Sequence, residues 1–123
     1  MVYAGVDLIE ISRLKRCVQR PHFMQRVFSE EERNLFLSKG NPLPTIAANF
    51  AAKEAFGKAM GTGVRGFSLT EVATLRDEAG RPYLHLTGRA KQLAEQRGMN
   101  FSVSISHTKE YAICFVTAVS DHE

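Results

Sequence analysis

N-F-A-A-K-E-A-F-G-K-A-M-G-T-G, residues Asn49 to Gly63, decides what stands at the centre of this chain. Alanine is the strongest helix former, and proline near the start with glycine just past the end frames a helix from about Pro44 to Met60, stopping at Gly61. At 100° per residue, Ala47, Ala48, Ala51, Ala52, Ala55 and Ala59 share one broad face of small residues. Such a face lets a neighbouring backbone or a ligand come close. Glu54 and Lys58 stack four residues apart at its border, beside Phe50. Spacing alone leaves that pair open between a surface ion pair and working residues of a site. Gly61-Thr62-Gly63 matches neither the P-loop nor the dinucleotide pattern, but it is expected to free backbone donors beside Lys58, as a phosphate nest does.

Outward from this helix, strands and helices alternate. Val2 to Ile11 is apolar and partly β-branched, so it reads as a strand. Ser12 is placed to cap a basic helix through Leu14 and Val18, which Pro21 stops or redirects. A short segment spans Phe23 to Phe28, and Ser29-Glu30-Glu31-Glu32 is a capping box for a helix carrying Leu35 and Phe36. After the central helix, Leu69 to Leu75 reads as a strand, Asp77 to Gly80 as a turn and Pro82 to Leu86 as the returning strand. Thr87 to Gly98 is a short amphipathic helix. Phe101, Val103 and Ile105 alternate with Ser102, Ser104 and Ser106, which marks a strand with two unlike faces. Tyr111 to Val119 is the longest apolar run, too short to span a bilayer, and reads as a buried strand. The class is α+β (mixed α/β), one domain over residues 1–123.

The 123 residues are enough to bury a core, and 44% hydrophobic with 24% charged content excludes a disordered chain. Asp7 and Glu10 break the first apolar stretch and no small-residue cleavage site follows, so no secretory leader is expected. Cys17 and Cys114 show neither metal nor redox spacing and read as reduced cytoplasmic cysteines. The net charge of +3 points to an acidic or phosphorylated partner without choosing one.

Two further residues break local rules. Aspartate is depleted in strands, yet Asp7 lies between Val6 and Leu8. The period of two puts it on the face of Gly5 and Ile9, with Glu10 on the other. It is either solvated at a sheet edge or matched to a distant partner. His107 heads a turn and has no weight by itself. Magnesium takes one or two protein carboxylates and completes its shell with water and phosphate, so Asp7 and Glu54 beside Lys58 suit it; no Cys and His cluster offers zinc a site. The chemistry that follows is transfer across a pyrophosphate.

G-V-D-L-I-E-I-S-R at 5–13, N-F-A-A-K-E-A-F-G-K-A-M-G-T-G at 49–63, G-R-P-Y at 80–83 and S-I-S-H-T-K-E-Y-A at 104–112 follow one another in this order. Together they resemble holo-acyl-carrier-protein synthase, the small bacterial class of 4′-phosphopantetheinyl transferases, over essentially the whole chain. The resemblance implies a largely antiparallel sheet packed against the alanine-rich helix. It implies transfer of 4′-phosphopantetheine from coenzyme A to a serine of acyl carrier protein, in support of fatty acid biosynthesis. By the same resemblance, Asp7 and Glu54 hold Mg²⁺, and Asp7, Glu54 and Lys58 form the catalytic set. Lys58, Gly61, Pro82 and His107 border the coenzyme, and Arg13 and Arg20 of the basic helix dock the carrier protein. A homotrimer with sites at subunit interfaces is implied too, with no nucleic acid or membrane partner. One position departs from the pattern: Asn49 stands where relatives often carry an arginine, leaving a coenzyme phosphate without its contact, for which Lys109 or Arg65 are candidates. The competing readings are a Mg-dependent phosphohydrolase and a small basic RNA-binding module. Both leave the S-H-T-K and G-R-P-Y blocks unexplained.

Overall fold

Five strands and five helices carry the chain in a computed structural model that describes residues 1–121. Strand β1 (Val2–Glu10) runs into α1 (Ile11–Cys17), followed by α2 (Phe23–Val27), α3 (Glu30–Leu37) and the long α4 (Leu43–Met60). Strands β2 (Val72–Arg76) and β3 (Pro82–Leu86) form a hairpin, α5 (Gly88–Gln96) follows, and β4 (Met99–His107) and β5 (Tyr111–Ser120) close the fold. All pairings are antiparallel. They make two sheets rather than one: β1-β5-β4, and the separate β2-β3 hairpin.

Helix α4 packs across β1 and β5. The contact is close because both surfaces are small. Ala47, Ala51, Ala52 and Ala55 are fully buried, facing Ala112, Cys114, Val116 and Ala118. On β1, a Cβ at Gly5 would overlap the Ala55 carbonyl oxygen and lie 2.7 Å from the Ala59 nitrogen. Only glycine lets the strand approach the helix here, and that approach sets the height of Asp7 two residues on. A second core surrounds Phe56, whose ring meets Phe67 edge-on at 5.3 Å and Phe101 at 5.1 Å.

The capping box at Ser29 forms as read: the Ser29 hydroxyl accepts from Glu32 N at 3.1 Å, and the Glu32 carboxylate accepts from Ser29 N at 3.0 Å. Other readings need correction. Helix α1 begins at Ile11, so Ser12 lies inside it; Glu10 is at the N-cap position and its side chain caps nothing. Arg20 lies in the turn beyond α1, not on the helix. Residues Leu69–Glu71 form a 3₁₀ turn with its own Ser68–Glu71 capping box, and the strand starts only at Val72. Strand β5 is buried on one face alone. Its outer face, with that of β1, exposes Val6, Leu8, Tyr111, Ile113, Phe115 and Val119. The run is apolar on both sides because the sheet's second face is apolar as well.

Candidate active site

Asp7 sits on the edge strand β1, on the side that α4 covers. Its carboxylate is 3.5 Å from the Lys58 ammonium, which also donates to the Val6 carbonyl at 2.9 Å. The edge position agrees with one half of the sequence reading; the solvated alternative does not hold, because the Asp7 side chain is only 20% exposed. Burial pushes the Asp7 carboxyl above its ordinary value, while Lys58 and, more weakly, Arg13 pull it down. Lys58 thus reaches across to β1 instead of pairing with Glu54. Glu54, half-buried, occupies the same flank of α4 one turn earlier and has no hydrogen-bond or ion-pair partner among the described residues.

The loop after α4 does not form the expected nest. Gly61 takes the left-handed conformation that ends the helix (φ 77°), and its N–H donates to the Lys58 carbonyl. The N–H groups of Thr62 and Gly63 both donate to the Gly57 carbonyl, at 3.1 and 3.0 Å. Capping the helix consumes the amides that were expected to face a phosphate. Gly61 and Lys58 instead line a cavity of about 530 Å³ with Tyr3, Gln96 and Arg97.

Pro82 and His107 lie elsewhere. They line a second cavity, about 260 Å³, with Arg76, Thr45, Gly80 and Ile105. The sheet register explains the separation. Asp7 is opposite Cys114 and Cys114 opposite Ile105, with His107 two residues further along β4. Two strand spacings and two residues amount to about 12 Å between the Asp7 and His107 backbones, and α4 lies between them. Within one chain, therefore, Asp7, Glu54, Lys58 and Gly61 gather on one flank of α4, while Pro82 and His107 occupy the other.

Arg13 is exposed on α1 and lines a cavity with Arg16, Leu8 and Tyr111, and its charge reaches Asp7 across the strand. Lys109 and Arg65 are exposed in turns.

Three residues carry structure that sequence spacing did not reveal. Lys53, on the same helix, is fully buried and donates to Glu32 at 2.7 Å and to the carbonyls of Val72 and Leu69 at 2.6 and 3.0 Å. Asn49 is fully buried beside it, donating to Glu32 at 3.0 Å and to the Thr74 carbonyl at 2.9 Å. Burial pushes the Lys53 ammonium down, and Glu32 opposes this. Arg76 closes the cluster, donating to Asn49 Oδ1 at 3.4 Å. The available signal was the i, i+4 spacing of Asn49 and Lys53, which puts both on one stripe of the helix, away from Glu54 and Lys58.

The chain and its two-sheet fold have close counterparts among known proteins. The family model for the 4′-phosphopantetheinyl transferase superfamily matches residues 3–116. The holo-[acyl-carrier-protein] synthase of Caldanaerobacter subterraneus subsp. tengcongensis is 41% identical over 120 residues, covering 96% of this chain and 94% of that protein. The crystal structure of holo-[acyl-carrier-protein] synthase from Neisseria meningitidis superposes with a TM-score of 0.90 at 31% identity, covering 98% of this chain and all of that one. An ACPS–CoA complex from Chronobacterium ammoniagenes gives 0.86 at 30% identity, over 99% of both chains. The chain belongs to the 4′-phosphopantetheinyl transferase superfamily and, within it, to the holo-[acyl-carrier-protein] synthases.

Proposed function

We propose that this chain, as a single transferase domain over residues 1–123, moves 4′-phosphopantetheine from coenzyme A to a serine of apo-acyl carrier protein. The products are holo-acyl carrier protein and adenosine 3′,5′-bisphosphate, and the reaction serves fatty acid biosynthesis. The observation that carries the reading is Asp7: a half-buried carboxylate on an apolar strand, held loosely by Lys58, with Glu54 on the same flank. The donor set fits magnesium. Two carboxylates leave most of an octahedron to water and phosphate, and among the described residues no group of three His, Cys, Asp or Glu builds a full protein cage. Asp7 and Glu54 are the residues that would hold it, and a bound magnesium ion supplies charge neutralisation at the pyrophosphate oxygens.

The serine hydroxyl attacks the phosphorus that carries the pantetheine, its proton passes to the Glu54 carboxylate, and the bond to the bridging oxygen breaks. Lys58, 54% exposed and free to swing from the Val6 carbonyl, offsets the charge on the departing bisphosphate. Arg13, beside Asp7, and Arg20 steer the acidic carrier protein, chiefly through orientation and on-rate.

A homotrimer accounts for two features together. The apolar outer face of β1 and β5 needs a cover, which further copies of the chain supply. The flank carrying Asp7 and the flank carrying His107 then meet across a subunit interface, where coenzyme A spans them. A cytoplasmic location fits the free cysteines Cys17 and Cys114. Among the described residues no helix is long and apolar enough to cross a membrane.

The test is incubation with apo-acyl carrier protein, coenzyme A and Mg²⁺, followed by intact mass. One phosphopantetheine adduct on the carrier serine is the expected product. Nucleotide release without an adduct would instead establish a phosphohydrolase.

A further inference from the structure

Asn49 raises the question of what holds the coenzyme's remaining phosphate, and the polar cluster around it contains an answer. Glu32 and Lys53 neutralise one another at 2.7 Å. Arg76 is then the excess charge: half-buried at the end of β2, with no carboxylate within salt-bridge distance among the described residues. Burial lowers its hold on the proton, yet a guanidinium stays charged. One N–H goes to its own neighbour, the Leu75 carbonyl, at 3.3 Å and one to Asn49 Oδ1 at 3.4 Å. A guanidinium has five N–H groups, so three remain. The cavity it lines also holds His107 and the first turn of α4 at Pro44 and Thr45, where the helix dipole favours an anion.

We infer that Arg76 binds a phosphate monoester in this cavity, the 3′-phosphate of coenzyme A, in place of an arginine at position 49. Asn49 contributes by turning inward: its side-chain NH₂ is spent on Glu32 and Thr74, and its oxygen orients the guanidinium. The choice of phosphate rests on the function proposed above, in which the pyrophosphate belongs to the Asp7 flank. Lys109 and Arg65, exposed in turns, lack this cavity. The residue is therefore one of specificity: it distinguishes coenzyme A from its 3′-dephospho form.

The test compares Arg76→Gln and Arg76→Lys with wild type in two ways. Calorimetry with adenosine 3′,5′-bisphosphate and adenosine 5′-phosphate needs no turnover. Wild type is expected to prefer the bisphosphate by about 10- to 100-fold, as one charge-assisted bidentate contact provides. Arg76→Gln loses that preference, and Arg76→Lys restores part of it. In turnover, Arg76→Gln raises KM for coenzyme A by a similar factor and changes KM for dephospho-coenzyme A less than about twofold. Because each comparison is a ratio within one variant, partial unfolding does not mimic it. An unchanged preference in Arg76→Gln, or an equal loss for both ligands, overturns the assignment. A wild type that binds the bisphosphate selectively but transfers nothing, with the selectivity lost in Arg76→Gln, counts against the proposed function and supports Arg76.

Discussion

Replacing Lys53 with methionine should destabilise the fold more than any change on the surface of α4. The substitution keeps the length of the side chain but removes the charge opposite Glu32 and the donor to two carbonyls, Leu69 and Val72. Glu32 keeps Ser29 N, Asn49 Nδ2 and Thr74 N as donors, at 3.0, 3.0 and 3.3 Å, so its carboxylate is not wholly abandoned. It is nevertheless fully buried, and only the more distant Arg76 is left to offset its charge. Breaking a buried pair from one side costs about 3–5 kcal/mol. With an unfolding entropy of about 2.1 cal/mol/K per residue, 123 residues give about 0.26 kcal/mol/K, so about 4 kcal/mol lowers Tm by about 15 °C. Scanning calorimetry at pH 7 and one fixed protein concentration measures it, since association also moves Tm. Glu32→Gln strands the ammonium in the same way. The double variant should therefore cost less than the two single costs summed, by about 2–3 kcal/mol. A Lys53→Met protein melting within about 3 °C of wild type, or single costs that simply add, would refute the claim that this pair is the strut between α3, α4 and β2.

Asp7 should behave in the opposite sense. Its folded carboxyl sits above the ordinary 3.8, so as pH rises past that value the native state holds the proton longer than the unfolded chain and stability falls. Asp7→Asn should melt above wild type at pH 7, with the gain disappearing below about pH 3.8; a variant less stable at pH 7 would contradict the burial argument. Millimolar Mg²⁺ should raise the wild-type Tm and leave Asp7→Asn where it is, which a thermal shift assay without substrates detects. Arg13→Glu should raise KM for the carrier protein, more so at low salt, with coenzyme A binding nearly unchanged; steady-state kinetics showing equal loss for both substrates would remove Arg13 from the docking surface.

Residues that violate a local pattern were readable in the sequence. Asp7 drew attention because strand propensity disfavours it, whereas the Glu54–Lys58 spacing is that of an ordinary surface pair and gained weight only from the motif blocks around it. The serine-lined β4 and the Pro82–Leu86 strand were readable for the same local reason: their alternation or turn punctuation lies within a few residues. What escaped was set by contacts far apart along the chain. Glu32 reads as a helix cap and is one, but its other oxygen meets Asn49 and Thr74, 17 and 42 residues away. Lys53 looks like any helix lysine until α3 and β2 enclose it. Arg76 is an unremarkable strand-end arginine until Asn49 and the cavity beside His107 give it a setting. The failed nest at Gly61-Thr62-Gly63 has a similar cause: helix capping and anion binding compete for the same amides, and only the hydrogen bonds to Gly57 and Lys58 show which one holds.

The proposed homotrimer, with the site divided between flanks of α4 on neighbouring subunits, can be tested directly by measuring phosphopantetheine transfer in mixed trimers. One parent carries Asp7→Ala; the other carries Arg76→Gln with His107→Ala and is assayed at limiting coenzyme A. Each alone should be nearly inactive. Co-expressed in equal amounts and mixed at random, a site is intact only when one subunit supplies Asp7 and its neighbour supplies the Arg76 cavity. This has a probability of about one in four for a closed ring with a directional interface. Intact mass should therefore show adduct forming at about a quarter of the wild-type rate. Mixed trimers as inactive as their parents would place both flanks of the site within a single chain.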